Sequence, residues 1–146
     1  ANLWSLRDDL LEAFLPLWPM FNFDLSMAIV DMTGFVRETE AEIHRQWPGG
    51  HIWHFGHAGD GNLHVMVAVG AGDKETARRV YDVVYSAVGK VGGSVAAELG
   101  VGREKQPFIE ITRTPEELEL MRTIKRALDP GNILNPGIIM PVARAT

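Results

Sequence analysis

The chain has 146 residues, 46% of them hydrophobic and 8% aromatic, which is enough for one domain with a buried core and too few for several. A net charge of −5 without a basic stripe argues against nucleic acid, and the absence of an apolar run of about 18 residues argues against a membrane span. Having no cysteine, the chain forms no disulfide and does no thiolate chemistry, which is consistent with the cytoplasm; with no charged-then-apolar leader no signal peptide is expected, and because it opens Ala1-Asn2 rather than with methionine a processed or excised piece is expected.

Leu3, Leu6, Leu10 and Phe14 recur at helical spacing with Asp8, Asp9 and Glu12 opposite, which predicts an amphipathic first helix ended by Pro16 and Pro19. Arg7, next to Leu6, is on pattern alone an ordinary solvated arginine. Phe23 to Met27 reads as a short strand and Gly34 to Gln46 as a helix with Phe35, Val36, Thr39 and Ile43 inward. After the turn Trp47-Pro48-Gly49-Gly50, the runs Ile52-Phe55 and Leu63-Val69 predict a hairpin, being aromatic and β-branched and bounded by glycine. His51 and His54 read as structural, since His54 should point away from His57.

Asp73 can cap the next helix, whose buried stripe is Ala77, Val80, Tyr81, Val84 and Val88; Tyr81 and Tyr85 read as packing residues. Gly92-Gly93 stops it, and a strand from Ser94 to Glu98 is expected. The glycines of Gly100-Val101-Gly102 lack the strand-loop-helix fingerprint of a phosphate cradle. Thr114-Pro115-Glu116-Glu117 is a helix start with a capping residue, proline in the first turn and an acid three on. Leu118, Met121, Ile124 (or the stem of Lys125) and Leu128 would be its inner face, and Asp129 to Gly137 a turn-rich tail. Strand, helix, hairpin, helix, strand in that order predicts an α+β fold, an antiparallel sheet with helices on one face, of the ferredoxin-like kind.

The chemistry concentrates in Gly56-His57-Ala58-Gly59-Asp60-Gly61-Asn62-Leu63-His64. Glycines at 59 and 61 permit a tight reversal, and His57 and His64 at its mouth can converge on one point, as half of a metal site. Read blandly, this is a generic glycine-rich loop with two strand histidines. The candidate third ligand is Glu98, an acid in a small, apolar strand between glycine turns. Its bland reading places it just past the strand's end, pointing into water.

GHAGDGNLH, GGSVAAELGVGREK and ALDPGNILNPG, in this order, resemble the C-terminal (cap) domain of the FAD-linked oxidases of the vanillyl-alcohol oxidase type. The nearest group is the D-2-hydroxy acid dehydrogenases, which include the glycolate oxidase flavin subunit, D-lactate dehydrogenase and D-2-hydroxyglutarate dehydrogenase. Leu3-Arg7 and Asp24-Ser26 extend the likeness, although Ala28 stands where the family usually has proline. The resemblance implies that residues 1–146 are part of a cap domain whose FAD-binding domain lies outside this chain. It further implies a divalent metal, zinc before manganese, on His57, His64 and Glu98, and a small hydroxy acid held by Arg7 through its carboxylate. Asn62 and Asn135 would neighbour the FAD that takes the hydride.

Two features depart from the family: the FAD-binding domain that it carries before the cap is not in this chain, which alone is then expected to be inactive, and the histidine of the site motif is replaced. The motif around the metal carboxylate usually reads Glu-His-Gly, the histidine accepting the substrate proton, and here that place is Leu99. Another group such as His54 or metal-bound hydroxide then takes the proton, or the substrate differs, or catalysis is lost. Asn22 and Met66 stand at positions that face a distal carboxylate in the 2-hydroxyglutarate enzymes, and neither suits a second anion. An uncovered sheet edge is expected to pair in a homodimer or with a missing segment. The rival function is a non-catalytic metal or small-ligand binding module on the same scaffold, and the plainest has histidines that only pack.

Overall fold

The structure is a computed structural model and describes Trp4, Glu12 and residues 14–140. Arg7 and Leu3, Leu6 and Leu10 of the expected first helix lie outside the described residues. Three segments rich in aromatic and aliphatic residues become strands β1 (Phe21–Ser26), β2 (His51–Phe55) and β3 (Asn62–Ala68), joined antiparallel in the order β1-β3-β2. The register sets Phe23 and His54 against Val65, and Asp24 and Phe55 against His64. Because side chains alternate across a strand, these two rows lie on opposite faces of the sheet.

One face is covered by helices, as the sequence predicts. Phe21, Phe23, Leu25, Val65 and Val67 pack with Phe35 and Ile43 of α1 (Ile29–Gln46) and Val80, Val84 and Val88 of α2 (Lys74–Lys90). Val65, Val67, Val80, Val84 and Val88 are fully buried, each burial contributing about 1.5–3 kcal/mol of transfer free energy. Asp73 caps α2 by accepting from the backbone N–H groups of Glu75 and Thr76. The opposite face carries Asn22, Met66 and Trp53 in one row and Asp24, His64 and Phe55 in the next. Phe14 covers the far side of that face, its ring 5.1 Å from Trp53 and 6.0 Å from Phe55.

Two expected elements and one expected inner face change, each for a physical reason. Helix α1 starts at Ile29, not Gly34: Ala28 offers no side-chain cap and Ile29 and Val30 project into solvent, so neither signal marks the first turn. The strand expected over Ser94 to Glu98 shrinks to one antiparallel bridge, Ser94 with Ser26. Beyond it the N–H groups of Ala97, Glu98 and Leu99 turn onto the Asp24 carboxylate instead of a neighbouring strand. The ferredoxin-like order therefore survives with its fourth strand reduced to a stub on the β1 edge.

Short helical turns α3 (Gly102–Lys105) and α4 (Ile109–Thr112) lead to α5 (Pro115–Leu128), whose start is a complete capping box between Thr114 and Glu117. Its expected inner face is the third correction. Leu118 is buried, but Ile124 is half exposed and Leu128 largely so, alongside Leu120. An apolar stripe shows that a surface favours cover without showing what covers it, and α1 and α2 already close the core. The tail beyond Leu128 runs in turns, with Asp129 accepting from the N–H groups of Ile133 and Leu134.

The connection from β2 to β3 is a single 3₁₀ turn, Ala58–Asp60, closed by Gly61 at φ +74°. A Cβ on Gly61 would stand 2.4 Å from the Met27 carbonyl oxygen, while Met27 N–H donates to the Gly61 carbonyl at 2.9 Å. Gly61→Ala thus combines a left-handed backbone with a clash against main chain, and a loss of about 2 kcal/mol is expected in urea unfolding.

Candidate metal centre

The reversal at Gly61 directs His57 and His64 to the face of the sheet opposite α1 and α2, and the loop after the Ser94 bridge brings Glu98 to them. His57, His64 and Glu98 each offer a ligand atom, all within 4.8 Å of one another. His57 Nε2 is 3.3 Å from Glu98 Oε1 and His64 Nε2 is 3.9 Å from Glu98 Oε2. Donors about 2.0–2.2 Å from one tetrahedral ion stand roughly 3.3–3.6 Å apart, so these separations fit a shared cation with a small adjustment. The donor set combines two borderline imidazoles with one hard carboxylate, a mixture that zinc or manganese can accept. His57 and Glu98 are nearly half exposed, which leaves ligand positions open toward a cleft lined by Asn22, Phe55, Met66, Val101, Arg103 and Lys105.

Behind the donors sits a buried acid that sequence reasoning did not single out. Asp24 is 2% exposed and accepts from the N–H groups of Ala97, Glu98 and Leu99 at 2.9–3.2 Å. Lys105 Nζ donates to its Oδ2 and to its carbonyl oxygen, both at 3.1 Å. Burial opposes ionisation of Asp24, but the Leu99 and Glu98 N–H groups, the Lys105 ammonium and the Ala97 N–H together outweigh it and hold the carboxyl below its ordinary range. A depressed folded value stabilises the fold above pH 3.8 and loses that contribution as pH falls through the folded value. The urea midpoint of the wild type is therefore expected to fall more steeply than that of Asp24→Asn below pH 4. In the sequence Asp24 is only one acid between Phe23 and Leu25, on the strand face that also carries the exposed Asn22.

Asn62, 4% exposed, donates from Nδ2 to Glu98 Oε1 at 2.5 Å. The reverse amide orientation would set two acceptors together, so this one follows from the carboxylate. Its Oδ1 is buried without a hydrogen-bond partner among the described residues, an acceptor still open to a donor. Asn135, by contrast, is exposed in the tail at φ +47°, and no hydrogen bond joins its side chain to the three donors. Leu99 lies beside Glu98, 76% exposed.

His54 is not a candidate base in this arrangement. It occupies the helix-covered face, with Nε2 3.3 Å from the Thr39 hydroxyl and Nδ1 3.7 Å from Glu40. Burial, opposed by Glu40, lowers its pKa from 6.5, so it packs as a neutral ring. The structural reading of His54 fits these contacts, and the reading as a substitute for the missing histidine does not.

Residues 1–139 match the family of FAD linked oxidases, C-terminal domain. Among curated proteins, the chain is 40% identical over 142 residues to a D-2-hydroxyglutarate dehydrogenase of Xanthomonas citri, covering 94% of this chain and 30% of that protein. A D-2-hydroxyglutarate dehydrogenase of Stutzerimonas stutzeri is 36% identical over 143 residues, covering 94% of this chain and 31% of its own. A putative mitochondrial D-lactate dehydrogenase of Schizosaccharomyces pombe is 30% identical over 143 residues, 92% of this chain and 27% of its own. The chain thus spans less than a third of the length of these relatives, and among the described residues no helix is long and apolar enough to cross a membrane. Its antiparallel sheet, its helices and the match across 139 residues make it a member of the FAD-linked oxidase C-terminal domain family.

Proposed function

We propose that this chain is the metal- and substrate-binding part of a flavin-dependent oxidoreductase that converts a small 2-hydroxy acid, glycolate or D-lactate in kind, to the 2-oxo acid. The observation that carries the reading is the convergence of His57, His64 and Glu98 at the head of an open cleft. A divalent cation there, zinc ahead of manganese, would acidify the substrate hydroxyl, while FAD, bound mainly by a domain outside this chain, would take the hydride.

The chain's own residues hold and orient. His57 and His64 supply neutral nitrogens, Glu98 supplies charge, and Asn62 fixes the carboxylate through Oε1. Arg7 is the proposed partner of the substrate carboxylate, and Asn62 and Asn135 the proposed neighbours of the flavin. Asn22 and Met66, paired across β1 and β3, line the cleft with an amide and a thioether, and Lys105 is committed to Asp24. That favours a short substrate with one carboxylate. Leu99 cannot accept a proton and His54 faces α1, which supports a non-catalytic binding role as the rival.

D-2-hydroxyglutarate is the second substrate reading. The names of the relatives favour it, as does Arg103, which lines the cleft and forms no ion pair or hydrogen bond among the described residues.

The test uses the whole polypeptide that carries this chain, purified without chelator, with elemental analysis and dye-linked turnover. One bound divalent ion per chain and a higher kcat/KM for D-lactate or glycolate than for D-2-hydroxyglutarate are expected. The opposite ranking selects the second substrate; a bound ion without turnover of any hydroxy acid selects the binding module; absence of the ion overturns both. Light scattering on the same sample checks the proposed homodimer.

A further inference from the structure

We propose that Asp24 is the positioning residue of the metal centre: a single buried carboxylate sets both the place of Glu98 and the orientation of the His64 ring. This rests on the reading of His57, His64 and Glu98 as metal donors and adds what aligns them.

The loop that carries Glu98 has no ladder to fix it, since its pairing with β1 ends at the Ser94 bridge. Three consecutive N–H groups, at Ala97, Glu98 and Leu99, instead converge on the Asp24 carboxylate, with Oδ2 reached by all three and Oδ1 also by Glu98. Successive amides curled around one acceptor form an anion-binding concavity, and here the anion belongs to the neighbouring strand. Lys105 neutralises the same carboxylate from the far end of the loop, so the arrangement buries an ion pair and not a lone charge. The Glu98 main chain is thereby held at both ends, and Asn62 holds the side chain.

The same carboxylate stands behind His64. Asp24 and His64 are cross-strand partners on the site face, with Asp24 Oδ1 3.8 Å from His64 Nδ1. The other ring nitrogen, Nε2, is the one toward Glu98. A carboxylate facing Nδ1 favours the tautomer that keeps the proton there and leaves the Nε2 lone pair for the cation. Asp24 touches neither cation nor substrate in this arrangement; it acts through the two ligands.

The experiment compares the wild type with Asp24→Asn in the whole polypeptide, with Val84→Ala as a control that weakens the core on the opposite face. Three quantities are read: the His64 tautomer by ¹⁵N NMR of histidine-labelled, metal-free protein at pH 8, amide exchange across residues 97–99, and zinc affinity against a competing chelator. The wild type is expected to show His64 protonated at Nδ1 and slow exchange at 97–99. Asp24→Asn should mix the tautomers, speed that exchange at least tenfold and weaken zinc binding about 10–100-fold, while Val84→Ala moves none of the three.

A wild-type His64 with Nδ1 unprotonated overturns the proposal, as does an Asp24→Asn protein in which either the tautomer or the exchange stays put. If the wild type binds no zinc, the metal reading fails alone, and tautomer and exchange still decide the role of Asp24. If Asp24→Asn does not fold, the wild-type tautomer and exchange decide it.

Discussion

Asp24→Ala is expected to cost about 3–5 kcal/mol of stability, a large part of what holds a domain of this size together. The loss has two sources. The ammonium of Lys105, 11% exposed, would lose its counter-ion in a place where water reaches it poorly. Three backbone N–H groups would lose their shared acceptor, each unsatisfied donor costing about 1–3 kcal/mol where no water replaces it. Urea unfolding measures the sum. Pairing Asp24→Ala with Lys105→Met should recover part of it, because the second change removes the stranded charge; a purely additive double variant would show that the two groups do not act as a pair.

His57→Ala and Glu98→Ala are each expected to weaken divalent-ion binding by about 100-fold or more, beyond the 10–100-fold typical of groups that only support a ligand. With three protein donors in the cluster, losing one leaves two and opens a further position to water. Both side chains are nearly half exposed, so neither truncation should unfold the chain. Titration with zinc against a chelator reads the affinity, and circular dichroism on the same samples checks the fold. An affinity unchanged in both variants would remove the metal centre from the proposal.

The site was more legible in the sequence than the loop that supports it. His57 and His64 announce themselves because a glycine-bounded reversal between two aromatic, β-branched runs has few other foldings, and β2 and β3 form where that pattern puts them. Glu98 stood out as an acid among small apolar residues, and the family likeness supplied its partners. Asp24 did not stand out, since three of its partners are backbone groups 73 to 75 positions along the chain, which carry no residue identity to read, and the fourth, the Lys105 ammonium, lies 81 positions away. The same contacts explain the missing fourth strand: the composition of Ser94 to Glu98 is strand-like, but the acceptor that captures its amides belongs to a different segment. Helix α5 shows the converse limit. Its capping box was plain from Thr114 to Glu117, whereas the exposure of Ile124 and Leu128 depends on what else surrounds the helix.

The grip of Asp24 on the loop has a consequence for how this centre can be altered. A clasp that closes on main-chain amides is indifferent to the side chains it carries, so the neighbours of Glu98 can be exchanged while the ligand keeps its address. Leu99, with its side chain 76% exposed and its amide in the clasp, is such a place. Leu99→His would set an imidazole at the lip of the cleft without re-registering the loop, and proton-handling groups become interchangeable parts on a fixed mount.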